Sequence, residues 1–408
     1  MMNKTVCVIG LGYIGLPTAA LIANKGLTVA GIDINEDIVS IVNKGESHIN
    51  ETDLSAIVKT AISTGRLKAL NKIKPSDVYI ICVPTPFHKN DDIPIPQPNI
   101  DHILSVTKSI APMIKSGDLV ILESTSPVGT TEIIKKTLIE CGTNLKDVHI
   151  AYCPERVLPG KIITEMVENN RVVGGLNPIS TKKVIDFYRL FVKGKIFETN
   201  AKTAEMCKLA ENSFRDVNIA FANELSMICD KQGINVKELV KLANKHPRVN
   251  ILEPGTGVGG HCIAVDPWFI VSQDINNAKL IHSAREVNNY KTKWVINKIK
   301  NVANKFTLKE GIKPKIICLG LTFKPDVQDL RESKALEIVE NLLLEGYEVN
   351  VVEPNIKFNE KFTLINLLDG INQADIICIL VRHHEFLSPE IKIKLTKYKA
   401  LDFCGALD

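Results

Sequence analysis

A cysteine that follows a run of glycines is the residue best suited to covalent chemistry in this chain of 408 residues. Gly259 and Gly260 precede His261 and Cys262, and Asp266 follows four residues later. Glycines leave room for a substrate against the backbone, and a cysteine that starts a helix has a lowered thiol pKa. On such a helix Asp266 would lie on the same side as Cys262. The stretch predicts an attacking thiolate, but a structural glycine loop with an incidental thiol fits it equally well; His261 is assigned no chemistry.

A helix predicted over residues 203–221 carries Lys208, Asn212 and Arg215 at spacings of four and three. These spacings place a cation, an amide and a second cation on one face. The face would serve catalysis only if it lies against the cysteine of the glycine loop, and most such faces are ordinary solvated helix surface. Glu155 follows a predicted strand and is a candidate base. The default alternative is that Glu155 is an ordinary surface carboxylate.

A glycine turn near the start of the chain predicts a dinucleotide site. Gly10, Gly12 and Gly15 follow a predicted strand and open a predicted helix. This pattern allows a tight turn, close approach of a pyrophosphate and close packing of helix on strand, while the helix N-terminus offers N–H donors. Asp33 ends the next predicted strand, where a carboxylate would bind a ribose hydroxyl. The residues after Asp33 add no cation for a 2′-phosphate, so the sequence favours NAD over NADP.

The glycine turn belongs to a region, residues 5–150, in which short Val/Ile-rich runs alternate with helical patterns. This alternation is typical of βαβ units on a parallel sheet. Two later strand ends lead into residues 83–86 and 123–129, where ligands gather in such sheets. As bare sequence, both segments are equally consistent with plain loops.

A mostly helical section follows, and a Lys-rich stretch over residues 304–315 resembles a linker before the strand pattern restarts. We therefore predict an α/β protein with an N-terminal Rossmann-type domain, a long helical connector with the nucleophile loop, and a second, smaller Rossmann-like domain. The predicted boundaries are 1–199, 200–304 and 305–408.

Composition excludes several other classes of protein. The net charge of +4 comes from 50 basic and 46 acidic residues spread along the chain, so a nucleic-acid partner is not expected. No apolar run is long enough to span a bilayer, and the first residues do not read as a signal peptide. Ten cysteines show neither a disulfide framework nor zinc-binding pairs. We expect a cytoplasmic protein without a membrane or metal partner.

These motifs, in this order, resemble the nucleotide-sugar dehydrogenases, which oxidise a sugar C6 alcohol to a carboxylate, over essentially the whole chain. Residues 259–269 resemble the branch that acts on N-acetylated sugars rather than on plain UDP-glucose. Residues 152–160, 203–218 and 246–250 resemble, within it, the enzymes that act on UDP-N-acetyl-D-mannosamine. The resemblance implies four-electron, NAD-dependent oxidation through a cysteine thiohemiacetal and thioester, yielding UDP-N-acetyl-D-mannosaminuronate for surface polysaccharide precursors. UDP-N-acetylglucosamine or another UDP-N-acetylhexosamine is the close alternative substrate. A non-catalytic nucleotide-binding protein is the remote alternative.

The resemblance also implies a role for single residues. Cys262 would be the nucleophile, Lys208 and Asn212 would stabilise the oxyanion or assist proton transfer, Asp266 would hold Lys208 or water, and Glu155 would be the base for thioester hydrolysis. NAD would be bound by Gly10, Gly12, Tyr13, Ile14, Gly15, Asp33, Thr85, Thr125 and Arg331. Substrate would be bound by Arg156, Val157, Lys208, Asn212, Arg215, His246, Arg248, Gly259, Phe323 and Lys324, the last two holding the UDP part. A homodimer is implied, in which a neighbouring subunit supplies some of these contacts.

Two positions depart from the family pattern. Pro159 stands where plain UDP-glucose dehydrogenases often have a second glutamate, which supports the N-acetyl branch. Cys404 stands where the family usually places Lys or Arg against the substrate. A thiol cannot replace a cation, so we expect one substrate contact to be lost and the affinity to be weaker.

Overall fold

A computed structural model describes residues 4–51, 53–88, 95–158, 160–260, 262–356 and 361–407. The chain divides into two compact units. The first unit comprises Met1–Ala210 and Trp268–Gln273, and the second comprises Glu211–Pro267 and Asp274–Asp408. The boundaries expected from the sequence, at residues 199/200 and 304/305, stay predictions.

The first unit is built on a sheet that has eight strands among the described residues. Their order is β3-β2-β1-β4-β5-β6-β7-β8, and every pairing is parallel except that of β6 with β7. Central strands such as β5 are buried along their whole length, as expected for apolar runs covered on both faces. The strands are β1 Thr5–Ile9, β2 Thr28–Ile32, β3 Leu67–Leu70, β4 Val78–Ile81, β5 Leu119–Leu122, β6 His149–Tyr152, β7 Arg171–Gly175 and β8 Ile196–Asn200.

Helices cover both faces of this sheet. Along β1, Val6 and Val8 belong to the apolar cluster on one face, while Cys7 and Ile9 belong to the cluster on the other. This alternation follows from the two-residue period of a strand. The helices are α1 Gly15–Asn24, α2 Glu36–Asn43, α3 Leu54–Ser63, α4 Asp101–Ile110, α5 Thr130–Glu140, α6 Ile162–Glu168, α7 Pro178–Tyr188 and α8 Ala201–Gln232, the last continuing into the second unit.

The second unit contains a smaller, fully parallel sheet in the order β10-β9-β11-β12. Its strands are β9 Lys315–Leu319, β10 Glu348–Val352, β11 Ile376–Ile379 and β12 Leu401–Asp402. The helices that follow α8 are α9 Val236–Ala243, α10 Asp266–Gln273, α11 Lys279–Glu310, α12 Lys334–Leu344, α13 Leu367–Gln373 and α14 Pro389–Lys397. The two Rossmann-like sheets confirm the predicted α/β fold class. In the part of the chain that the structure describes, no helix has the length and apolar character needed to cross a membrane.

The predicted linker over residues 304–315 is wrong for most of its length. Helix α11 continues to Glu310, and Gly311 ends it with a φ of 73°. A Lys-rich segment is as compatible with a solvated helix as with a linker, because lysine has a good helix propensity. Only the glycine marks the end of the helix.

Both units use the same contact to close the turn after their first strand. Asp33 accepts the backbone N–H of Leu11 at 2.9 Å, and Glu353 accepts that of Leu321 at 2.6 Å. Asp33 is partly exposed, whereas Glu353 is buried and its Oε2 lies 3.1 Å from Nε2 of His383. Of these two equivalent carboxylates, only Asp33 keeps exposed surface.

Candidate functional site

The glycine turn between β1 and α1 has the shape of a dinucleotide cradle. A Cβ at Gly15 would lie 1.7 Å from the carbonyl oxygen of Gly10, so a side chain is excluded there. A Cβ at Gly12 would meet open space among the described residues, which is where a ligand can approach the backbone. Within its described residues, α1 has no capping side chain and no acidic residue in its first turn. The positive end of the α1 dipole therefore fits a phosphate.

The other predicted cofactor residues of the first unit surround this turn or the neighbouring strand ends. Oγ1 of Thr85 donates to the carbonyl oxygen of Thr125 at 2.6 Å, which joins the loops after β4 and β5. Tyr13 is exposed at the turn, and Ile14 packs partly buried against the core. The glycine turn can take a pyrophosphate, Asp33 can accept hydrogen bonds from a ribose, and the joined loops of Thr85 and Thr125 lie at the neighbouring strand ends. Together these groups fit NAD.

Glu155 lies in a buried charged cluster of the first unit. Its Oε2 accepts Nη2 of Arg171 at 2.6 Å, and its Oε1 accepts the backbone N–H of Arg156 at 2.6 Å. Arg171 also lies 3.8 Å from Glu123 and stacks 4.9 Å from the ring centroid of Tyr188. Burial raises the pKa of Glu123, although Arg171 opposes this rise. Both oxygens of Glu155 are thus engaged, and its role as a base stays a prediction.

The two predicted substrate contacts after Glu155 lie on the same segment. The guanidinium of Arg156 donates to the carbonyl oxygen of Asn170, and Val157 packs partly buried against the core. Pro159 and His261 lie outside the described residues. The substrate contacts of Arg156 and Val157 stay predictions.

One unbroken helix, α8, carries the predicted stripe of Lys208, Asn212 and Arg215. Lys208 is partly buried, Asn212 is buried and Arg215 is exposed. Nδ2 of Asn212 donates to Oδ2 of Asp266 at 2.5 Å. Helix spacing predicts the stripe, and the structure adds Asp266 as the partner of Asn212. The predicted contact of Asp266 with Lys208 or water stays a prediction.

Cys262 is exposed and lies one turn before α10. Its carbonyl oxygen accepts the N–H groups of Val265 at 3.0 Å and Asp266 at 2.8 Å, which forms a single turn immediately before the helix that begins at Asp266. Cys7, which lies within strand β1, is buried instead, and its burial raises the pKa of its thiol to about 11. All ten cysteines are described and carry thiols rather than disulfides. The exposure of Cys262 suits it to attack a substrate.

The nucleophile loop packs against the segment that follows β9. A Cβ at Gly259 would lie 2.3 Å from the carbonyl oxygen of Glu332, and one at Gly260 would lie 3.0 Å from the ring of Phe323. Nζ of Lys324 lies 5.7 Å from the centroid of the same ring. The structure therefore brings the loop of the predicted nucleophile against Phe323, one of the two predicted UDP contacts, and Lys324 lies beside the same ring.

The remaining predicted contacts of the second unit are exposed. Arg331 holds the carboxylate of Asp329 in a two-point contact, at 2.6 Å from Nη2 and 3.0 Å from Nε. The backbone N–H of Arg248 donates to Nδ1 of His246 at 3.3 Å. Contacts of Arg331 with NAD, and of His246, Arg248 and Arg215 with substrate, stay predictions.

Sequence reasoning missed a buried polar network that anchors the glycine loop. Asp216 Oδ1 accepts Arg285 at 2.6 Å and Asn288 at 2.8 Å. Asn288 in turn accepts the amide of Asn223 at 2.9 Å, and Asn223 accepts the backbone N–H of Gly255 at 2.8 Å. Asp216 and Asn288 are 72 positions apart, so no local pattern could have found the pair.

Cys404, at the position that departs from the family pattern, has cations beside it. Burial and the Asp402 carboxylate raise the pKa of Cys404 well above its ordinary value, while Lys237 and Arg382 act in the opposite direction. Lys237 reaches over Gly405, where a Cβ would lie 1.6 Å from its Nζ. The surroundings of residue 404 therefore retain positive charge.

The sequence matches three models of the UDP-glucose/GDP-mannose dehydrogenase family: the NAD binding domain over residues 4–192, the central domain over 202–290 and the UDP binding domain over 317–408. UDP-N-acetyl-D-mannosamine dehydrogenase of Campylobacter jejuni is 52% identical, with 98% of this chain and 99% of that protein covered. NDP-N-acetyl-D-galactosaminuronic acid dehydrogenase of Ralstonia nicotianae is 48% identical over 94% of this chain and 92% of its own. The solved UDP-D-ManNAc dehydrogenase of Pyrococcus horikoshii is 37% identical, with a TM-score of 0.88 and coverage of 99% and 96%.

Proposed function

Because the chain belongs to the UDP-glucose/GDP-mannose dehydrogenase family, we propose that it oxidises UDP-N-acetyl-D-mannosamine to UDP-N-acetyl-D-mannosaminuronate, a surface polysaccharide precursor. Each sugar consumes two NAD⁺ and one water and yields two NADH and three protons. The observation that carries the proposal is the exposed Cys262 thiol, on a loop packed against Phe323, in a chain 52% identical to an enzyme of that name.

NAD is the cofactor, as the match to the family's NAD binding domain confirms. The Gly10–Gly15 turn would take the pyrophosphate, because the side of Gly12 is open and α1 begins without a cap in the described structure. Asp33 would bind a ribose, and the joined loops of Thr85 and Thr125 would line the pocket. When bound, NAD⁺ supplies the hydride acceptor for both oxidations.

Cys262 makes and breaks the one covalent bond between protein and substrate. After the alcohol has been oxidised, its thiolate attacks the C6 aldehyde, the C–S bond forms, and the carbonyl electron pair moves to oxygen. Lys208 and Asn212 stabilise the resulting oxyanion. Loss of a hydride from C6 then gives a thioester, which keeps the intermediate attached to the enzyme.

Hydrolysis of the thioester restores the thiolate. Water attacks C6, the C–S bond breaks, and Glu155 accepts a proton from the attacking water once one of its oxygens is released from Arg171 or the Arg156 backbone. Asp266 orients Asn212 by accepting one amide hydrogen, which leaves the second amide hydrogen for the substrate oxygen.

The second candidate substrate is an epimer, UDP-N-acetylgalactosamine, because the Ralstonia relative at 48% identity is named for N-acetyl-D-galactosaminuronic acid. Purified protein would be given NAD⁺ with UDP-N-acetylmannosamine, UDP-N-acetylgalactosamine or UDP-N-acetylglucosamine, and uronate would be identified by mass spectrometry. We expect the highest kcat/KM with UDP-N-acetylmannosamine. A higher value for either epimer would reassign the substrate, and no turnover on any of them would favour a nucleotide-binding protein.

We also propose a homodimer that buries a stripe on α8. Phe214, Phe221 and Ile228 follow one another at a spacing of seven and are 70%, 53% and 45% exposed. A second copy of the same stripe would cover this apolar face. Sedimentation should give the dimer mass for the native protein and the monomer mass for Phe221→Glu. A monomeric native protein would contradict the assignment.

We place the protein in the cytoplasm, because ten thiols without a disulfide fit a reducing compartment. Cell fractionation with a cytoplasmic marker would test this placement. Recovery in an extracellular or membrane fraction would contradict it.

A further inference from the structure

Glu205 is a fully buried carboxylate that joins two elements of the first unit. It lies on α8, three residues before Lys208. Its Oε2 accepts the backbone N–H of Gly129 at 2.6 Å, while its Oε1 accepts the N–H of Thr131 at 2.8 Å and the hydroxyl of Thr131 at 2.6 Å. A side chain of α8 therefore caps the N-terminus of α5.

This cap has to come from elsewhere because the N-cap residue of α5 is Gly129. Its φ of 97° is in the left-handed region that favours glycine, and glycine has no side chain that could accept the first N–H groups of the helix. Glu205 supplies both acceptor oxygens at the positive end of the helix dipole, where a carboxylate is favoured. Burial raises the pKa of Glu205, and the hydrogen bonds from Thr131 and Gly129 oppose this rise. Such charge-assisted hydrogen bonds are stronger than neutral ones.

The cap also makes the N-terminus of α5 chemically different from that of α1, although both helices follow strands of the same sheet. In sheets of this kind each such N-terminus is a ready anion site. The described N-terminus of α1 has neither a capping side chain nor an acidic residue in its first turn, whereas the N-terminus of α5 is filled by Glu205. A phosphate is therefore directed to α1, and the loop before α5 is used to hold α8.

A second bond fixes the same loop. Nε2 of Gln273 donates to the carbonyl oxygen of Val128 at 2.8 Å, next to the Gly129 N–H that Glu205 accepts. Thr125, three residues before Val128, is bonded through its own carbonyl to Thr85. The segment from Thr125 to Thr131 is thus tied to α8 by a buried anion rather than by apolar packing alone.

We propose that Glu205 is a positioning residue that sets the place of Lys208 relative to the Thr125 loop. The inference rests on the proposed function, in which Lys208 acts on the substrate and Thr125 lines the cofactor site. A helix advances by 3.6 residues per turn, so Glu205 and Lys208 lie within one turn of each other. Fixing the carboxylate therefore fixes the base of the lysine side chain.

Glu205→Gln tests the inference with little change in volume. Both carboxylate oxygens accept an N–H, so either orientation of the glutamine places its NH₂ against a donor. We expect kcat per folded molecule to fall roughly 10- to 100-fold, with the KM for substrate and the Kd for NAD within about threefold. Glu224→Gln, the same change at an exposed position of α8, should leave kcat unchanged.

Two further measurements separate positioning from simple loss of structure. Thr131→Val removes only the hydroxyl bond and should lower kcat in the same direction by a smaller factor. Backbone amide exchange at residues 129–131 should rise in Glu205→Gln and not in Glu224→Gln. Unchanged exchange would overturn the cap itself, whatever the activity.

A Glu205→Gln variant with kcat per folded molecule within twofold of an active native enzyme would overturn the positioning role. A native enzyme that turns over no UDP-sugar would instead overturn the proposed function, and the positioning role of Glu205 with it. The amide-exchange result is independent of turnover, so the two failures are distinguishable.

Discussion

The side-chain amide of Asn212 donates a 2.5 Å hydrogen bond to the carboxylate of Asp266. The two residues are 54 positions apart and both are buried. Asn212 lies on α8, and Asp266 opens α10 one turn after Cys262. This pair ties the helix that carries the predicted amide donor to the turn that carries the predicted nucleophile.

Asp266→Asn should therefore slow catalysis more than it weakens binding. The replacement removes the negative charge that holds the Asn212 amide, at a cost of about 1–3 kcal/mol. We expect kcat to fall about 10- to 100-fold, while the Kd for NAD stays unchanged. Steady-state kinetics and NAD titration check this, with the partly exposed Asp186→Asn on α7 as control. A change confined to KM would contradict the orienting role.

Gly12→Ala and Gly15→Ala should separate cofactor binding from folding. The Cβ of alanine at position 12 meets open space within the described structure, so we expect normal thermal stability and an NAD affinity at least about tenfold lower. At position 15 it would lie 1.7 Å from the Gly10 carbonyl oxygen, so the melting temperature should drop. Calorimetry and NAD titration check both. Full NAD affinity in Gly12→Ala would contradict the assigned pyrophosphate site.

Arg171→Met should destabilise the first unit. The arginine is 3% exposed and bonds the buried carboxylate of Glu155. Removing one partner of a buried ion pair costs about 3–5 kcal/mol, because the other charge is left unpaired. Urea unfolding would measure this loss. Arg189→Met, at an exposed arginine, should have almost no effect, and equal stability of the two variants would refute the account of the cluster.

The sequence predicts the sheets better than it predicts the contacts of the site. Uninterrupted apolar runs such as Leu119–Leu122 and Ile376–Ile379 are recognisable as buried parallel strands, because both faces must be apolar. The antiparallel pairing of β6 with β7 depends on the completed sheet and leaves no local pattern. The Glu205 cap is equally hidden, since its partners lie 74 and 76 positions away.

Lys291 predicts a dependence of stability on pH. It is 2% exposed, donates to Ser226 at 2.6 Å and lies 4.1 Å from the ring centroid of Trp294. Burial lowers the pKa of Lys291 from 10.5 to about 7, a shift opposed by Asp230 and reinforced by Lys298. Between these two values the unfolded chain binds a proton that the folded protein does not, so stability rises with pH across this window.

Lys291→Met removes this titration. Its melting temperature should exceed that of the native protein most at about pH 6, and the difference should shrink by about pH 9.5. Lys305→Met, at an exposed lysine of the same helix, should follow the native curve. A difference that stays constant between the two pH values would show that Lys291 does not titrate as described.

The number of NADH molecules formed per UDP-N-acetylmannosamine consumed tests the central role of Cys262 most directly. The native enzyme should give two, and Cys262→Ser should lose the complete reaction while NAD binding is retained. One NADH per sugar from the native enzyme, or two from the serine variant at the native rate, would contradict the thioester route.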